Sequence, residues 1–101
     1  MIIYNVTVNV DDAIAKEWVI WMRDIHIPEV IATGMFVSHT FSKLLSRQED
    51  ETGTTYVIQY MAPDMQHYER YQAEFASALQ TDAKNKFGDR FVAFRTLMEQ
   101  V

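Results

Sequence analysis

Alternation runs through the first ten residues: Ile2, Tyr4, Val6, Val8 and Val10 fall on one side of an extended chain, and Ile3, Asn5, Thr7 and Asn9 on the other. This period predicts a strand over residues 1–10 whose first set packs against a helix. After Asp11 and Asp12 the pattern becomes helical, with Ile14, Ala15, Trp18, Val19, Trp21, Met22, Ile25 and His26 on one broad side and Lys16, Glu17, Arg23 and Asp24 on the other. The aspartates suit its N-terminus as caps and as negative charges near the positive end of the helix dipole. Ile27 precedes proline and is pushed away from helical geometry, while Pro28 suits the opening of a fresh turn, so a break is expected at His26–Ile27, with Gly34 stopping the second turn.

Residues 35–47 read as a second strand in which Met35, Val37, His39, Phe41, Lys43 and Leu45 alternate with Phe36, Ser38, Thr40, Ser42 and Leu44; its polar later half suits a sheet edge. Residues 48–53 form a hairpin connection, and Tyr56, Ile58 and Tyr60 alternate with Val57, Gln59 and Met61 in a third strand over 54–61. Pro63 ends it. Asp64 caps a second helix carrying Tyr68, Tyr71, Phe75, Ala78 and Leu79 at helical spacing, and a short turn from Thr81 or Asp82 stops at Gly88. The fourth strand, 89–99, sets Val92, Phe94, Thr96 and Met98 against Phe91, Ala93, Arg95 and Leu97, with Arg95 expected to point away from the helices. Strand, helix, strand, strand, helix, strand is the split βαβ, or ferredoxin-like, α+β plan, here one domain over residues 1–101.

Two helices cover one face of a four-stranded antiparallel sheet, and the opposite face is mixed rather than polar. Either Val57 and Met61 or Tyr56, Ile58 and Tyr60 are left on it, with Phe91 and Leu97 expected beside them. A patch of that size asks for a partner, and pairing of two sheets in a two-fold homodimer is the commonest closed answer.

Composition narrows the classes. At 101 residues, 49% of them hydrophobic, the chain buries roughly 60 to 65% of its unfolded surface as one globular unit. A formal charge of −5 without a basic cluster argues against nucleic acid. No apolar run approaches the roughly 20 residues of a membrane span, and the N-terminus carries no basic region or cleavage site, so no membrane partner and a cytoplasmic location are expected. The absence of cysteine removes disulfides and thiol chemistry. No spacing points to a metal, a phosphate loop or a cofactor.

The chain resembles the dimeric α/β-barrel superfamily, and within it a group of short bacterial proteins carried as a domain of unknown function. The resemblance rests on residues 1–10, on Trp18 through Phe36 with His26-Ile27-Pro28-Glu29 at its centre, and on residues 56–60, 68–71 and 91–97. Members of that superfamily include cofactor-independent monooxygenases, haem-degrading enzymes, isomerases and stress-response proteins. The resemblance implies a site in a cleft between helices and sheet, and carries over no catalytic residue.

Three sets of residues are candidates for ligand binding. His26, ending a helix at the margin of the apolar face, would have a raised pKa and act as acid, base or anion contact, or else simply satisfy free helix carbonyls. Trp18 and Trp21 could wall an aromatic pocket together with Tyr4, Tyr68 or Tyr71; as ordinary core these rings would have no such role. Asn5, Thr7, Asn9, Gln59 and Arg95, joined by His39 if its strand has the right register, could converge on the sheet face away from the helices to grip a carboxylate or amide, or form a hydrated dimer interface. Two functions follow: a protein that binds or transforms a small planar organic molecule in a helix–sheet cleft, or a non-catalytic dimeric protein-interaction module.

Overall fold

The structure, a computed structural model, describes residues 1–46 and 50–101. The expected end of the second strand at Arg47, and Gln48 and Glu49 of the acidic turn, lie outside the described residues. Strands β1 (Ile2–Val10), β2 (Ser38–Lys43), β3 (Thr54–Ala62) and β4 (Phe91–Glu99) form one antiparallel sheet in the order β2-β3-β1-β4. Helices α1 (Ala15–Trp21), α2 (Ile27–Ala32), α3 (Met65–Glu74) and α4 (Ala76–Phe87) pack on one face. This is the ferredoxin-like arrangement. No described helix is long and apolar enough to cross a membrane.

Register decides the faces. Opposed residues of an antiparallel sheet share a side, and Val6 lies opposite both Ile58 and Arg95, Tyr4 opposite Tyr60 and Leu97, and Val10 opposite Phe91. Tyr4, Val8, Val10, Ile58 and Tyr60 are buried beneath the helices. Phe91 and Leu97 therefore belong to the helix side, not to the far face where they were expected. The far face instead presents Val92, Phe94 and Met98, which are 54%, 63% and 40% exposed.

The first helix departs most from expectation. There is no break at His26–Ile27: α1 runs through a π-helical turn (Met22–His26) into α2, with Ile27 N–H bonded to the Met22 carbonyl five residues back and Ile27 itself helical at φ −60°, ψ −46°. The wider turn makes room for a pyrrolidine ring that a regular turn would reject, so Pro28 sits one residue inside α2. One extra residue in that turn also changes which side chains face inward. After Trp18, Trp21 and Met22, a regular helix would bury Ile25; here Ile25 is 46% exposed, and Ile27 and Val30 are buried at 3% and 1%.

The cap at the start of α1 is indirect. Asp11 Oδ1 accepts from Ala13 N–H in a preceding turn, and Asp12 Oδ1 accepts from the Thr54 hydroxyl at 2.7 Å, tying that turn to β3. Asp64 caps α3 directly, its Oδ1 accepting from His67 N–H at 2.9 Å and lying 2.7 Å from the imidazole Nδ1. Replacing Asp64 by Ala should cost about 1 kcal/mol, read as a shift of the urea midpoint with unchanged slope. The interruption expected near Thr81 falls earlier, at Phe75 (φ −124°, ψ −35°), and α4 runs on to Gly88, whose φ of 63° ends it.

Candidate functional site

Beneath α3 and α4 the sheet carries a group of rings centred on Tyr4. Its centroid lies 5.4 Å from Tyr68, 5.8 Å from Tyr71, 6.0 Å from Tyr60 and 6.1 Å from Phe36. Burial pushes the phenols of Tyr4, Tyr60 and Tyr71 up, so all three are neutral; for Tyr4 the nearby Arg95 charge and hydrogen bonding from Gln72 and Arg95 offset part of that rise.

Next to these rings is a small internal cavity of about 40 Å³, lined by Tyr4, Val6, Met22, His26, Val30, Ile58, Tyr60, Tyr71, Gln80 and Arg95. His26, the last residue of the π turn, lines it. Its Nδ1 is buried and makes no hydrogen bond with any described residue. His26 is thus not a helix-end cap, and its pKa is lowered, not raised: burial, with a smaller contribution from Arg95, brings it from 6.5 to about 4 against the pull of Asp82. The reason is positional. In the middle of a continuous helix there are no free carbonyls or dipole terminus to favour the imidazolium.

Outside this cavity lies an open cleft of about 740 Å³ between α4 and β4, with Gln72, Ala76, Ser77, Gln80, Thr81 and Lys84 on the helical side and Phe91, Ala93 and Arg95 on the strand side. Gln80 and Arg95 line both spaces. The arrangement offers an open cleft with two cations, Lys84 and Arg95, one carboxylate, Asp89, and an unbonded neutral imidazole at its inner end.

The eight sequence candidates fall into separate places. Tyr4, His26 and Arg95 meet at the inner cavity. Tyr68 supports Tyr4 from the side without lining it. Trp21 is buried, stacked on His26 at 4.9 Å and edge-on to Phe87 at 5.4 Å, and borders a different, outer depression with Ile25, Glu29 and Asp82. Among the described residues, the inner cavity is lined by His26 without Trp21, and the outer depression by Trp21 without His26.

The supposed polar cluster on the far face divides by register. Asn5 and Gln59 are there, bonded to each other (3.2 Å), and Asn5 donates to Thr7 (3.0 Å) while Asn9 donates to Thr55 (3.2 Å). Arg95 and His39 point the other way, Arg95 opposite Val6 and His39 opposite Tyr60, because side chains alternate strictly along each strand. Gln72, Gln80 and Tyr60, which line these spaces, were not among the candidates read from the sequence. The spacing of Tyr68, Gln72, Ala76 and Gln80, every fourth residue along a helix, was the available signal. Among the described residues no three carboxylates or histidines gather as a metal ion would require.

Comparison with known proteins places the fold. The chain is similar to an ethyl tert-butyl ether D (EthD) family protein from Bacillus halodurans C-125, at 10% identity and a TM-score of 0.73, over 100% of both chains. It is similar to SnoaB, a cofactor-independent oxygenase from Streptomyces nogalater, at 17% identity and a TM-score of 0.65, covering 99% of this chain and 92% of that one. A dimeric ferredoxin-like protein from an uncultured marine organism gives 8% identity and a TM-score of 0.68, covering 99% and 97%. At these identities the likeness is one of fold. No curated protein matches the chain. The family described as Domain of unknown function (DUF4286) matches residues 1–101, the whole sequence, and the chain belongs to it.

Proposed function

We propose that the chain is a homodimeric cytoplasmic protein that binds a small planar organic molecule in the cleft between α4 and β4, its polar end directed at Arg95 and His26. The observation that carries this reading is the junction at Gln80 and Arg95, where an open cleft meets a buried imidazole nitrogen without a partner. Slots of several hundred Å³ with a few convergent polar groups are the usual form of small-molecule sites. For the dimer, the support is the uncovered far face with Val92, Phe94 and Met98, together with a structural neighbour described as dimeric. The likeness of fold to SnoaB, described as a cofactor-independent oxygenase, supports the reading.

The test is a thermal-shift screen of planar aromatic and heteroaromatic compounds. A ligand at about a hundred times its dissociation constant stabilises the folded state by about 2.7 kcal/mol, several degrees in a domain of this size. Ser77→Trp, on the exposed wall of the cleft, should abolish the shift while leaving the unliganded melting temperature near that of the parent; an undiminished shift would put the ligand elsewhere. The alternative, a protein-interaction module, draws on the half-exposed Ile20 and Ile25 at the outer helix surface, but it gives His26 no reason to face an internal cavity unbonded.

A further inference from the structure

The inner cavity and the outer cleft differ in volume by more than an order of magnitude, about 40 against about 740 Å³. A benzene ring occupies a cavity of roughly 150 Å³, so a ring system stays in the outer cleft and only a group of one to three heavy atoms enters the inner space. The polar atoms waiting there are selective. Arg95 is a donor that keeps its charge, Gln80 can donate, and Nδ1 of His26 is unbonded.

Burial keeps the His26 imidazole neutral, and the charges near it act in opposite directions. Arg95 from β4 opposes a second positive charge, and Asp82 from α4 favours one. Tyr4 from β1, Tyr60 from β3 and Tyr71 from α3 are held neutral by burial and supply no charge. An oxyanion set between Arg95 and His26 would cancel the repulsion between the two, and would pair a buried nitrogen otherwise left without a partner.

We propose that the inner cavity anchors the oxyanion of a planar organic acid, with Arg95 as the standing cation and His26 taking up one proton as the acid binds. This rests on the small-molecule reading above and narrows its ligand to flat carboxylic acids or acidic enols. The acid enters as its anion while a solvent proton adds to Nδ1, or it enters neutral and hands its own proton to Nδ1. In both cases one N–H bond forms and the bound pair is oxyanion and imidazolium.

The probe is 2-naphthoate, a carboxylate that stays ionised between pH 5.5 and 7.5, titrated calorimetrically into the full chain in buffers of different ionisation enthalpy. Affinity should rise about tenfold from pH 7.5 to pH 5.5, with a buffer-dependent heat that reports proton uptake approaching one. In His26→Gln the ratio of affinities at the two pH values should fall to near one, and Arg95→Gln should lose binding at both. Binding by the parent chain with no proton uptake and a flat pH profile overturns the proposal, as does a slope that survives in His26→Gln. Should that variant fail to fold, the buffer-dependent heat of the parent chain decides alone. If 2-naphthoate does not bind but a neutral planar compound does, the acid class is wrong and the small-molecule reading stands; if neither binds, both are overturned.

Discussion

Phe94→Glu should convert a homodimer into a monomer. Phe94 lies on the far face of an outer strand, opposite Thr7 of β1, with Val92, Thr96 and Met98 on the same side. In the proposed dimer these side chains are buried against their symmetry mates, and a two-fold axis would bring two introduced carboxylates into one apolar patch. An uncompensated buried charge costs about 3 to 5 kcal/mol, which weakens association on the order of a hundredfold or more. Sedimentation equilibrium of both proteins at micromolar concentration reads the effect. A parent chain that already sediments as a monomer would end the dimer reading, and a variant that stays dimeric would move the interface off this face. Folding of the monomer should survive, because Phe94 is exposed and outside the core beneath the helices.

The second large effect is acid sensitivity. His26 titrates at about 4 in the folded protein, lowered from 6.5. Between those values the unfolded chain holds more protons than the folded one, so stability rises with pH across this window. The contribution is complete above about pH 6.5 and is lost as pH falls toward 4, an effect of about 3 kcal/mol for a shift of this size. Within a total of about 5 to 15 kcal/mol it is a substantial fraction. Urea unfolding at pH 7 and pH 4.5 measures it, with His26→Leu as the control that should flatten the profile. The carboxyls of Asp11, Asp24 and Asp64, all held low by hydrogen bonds to Ala13 and Arg90, Arg23, and His67, lose their contribution in the same direction but at lower pH. A parent profile as flat as the variant's would show that His26 is hydrated or bonded in solution.

The alternation in residues 1–10 and 54–61 was enough to place two central strands, because a buried sheet face leaves an unmistakable period of two. The same alternation assigns each residue to one of two faces without saying which face meets the helices. Arg95 and His39 were therefore assigned to the wrong side, and with them Phe91 and Leu97. Only the register of β4 against β1, with Val6 opposite Arg95, resolves that choice, and it is set by pairing between segments almost ninety residues apart. The site suffered from a different ambiguity. Pro28 after a helical run reads as a stop, and local sterics support that reading; tertiary packing of Ile27 and Val30 overrides it through the π turn. His26 stands out in the sequence, but the inferred cause, a helix end, gives the wrong sign for its proton affinity. Gln72 and Gln80 are ordinary polar residues on an amphipathic helix until β4 is laid beside them.

The π turn at Met22–His26 holds one residue more than a regular turn, and that extra residue leaves Ile25 in solvent while Ile27 and Val30 face the sheet. Removing one residue between Met22 and Ile25 would restore a regular spiral in which Trp18 and Val30 still share a side, at little cost to the hydrophobic interior. Homologous chains could thus differ by one insertion or deletion there and keep the same architecture.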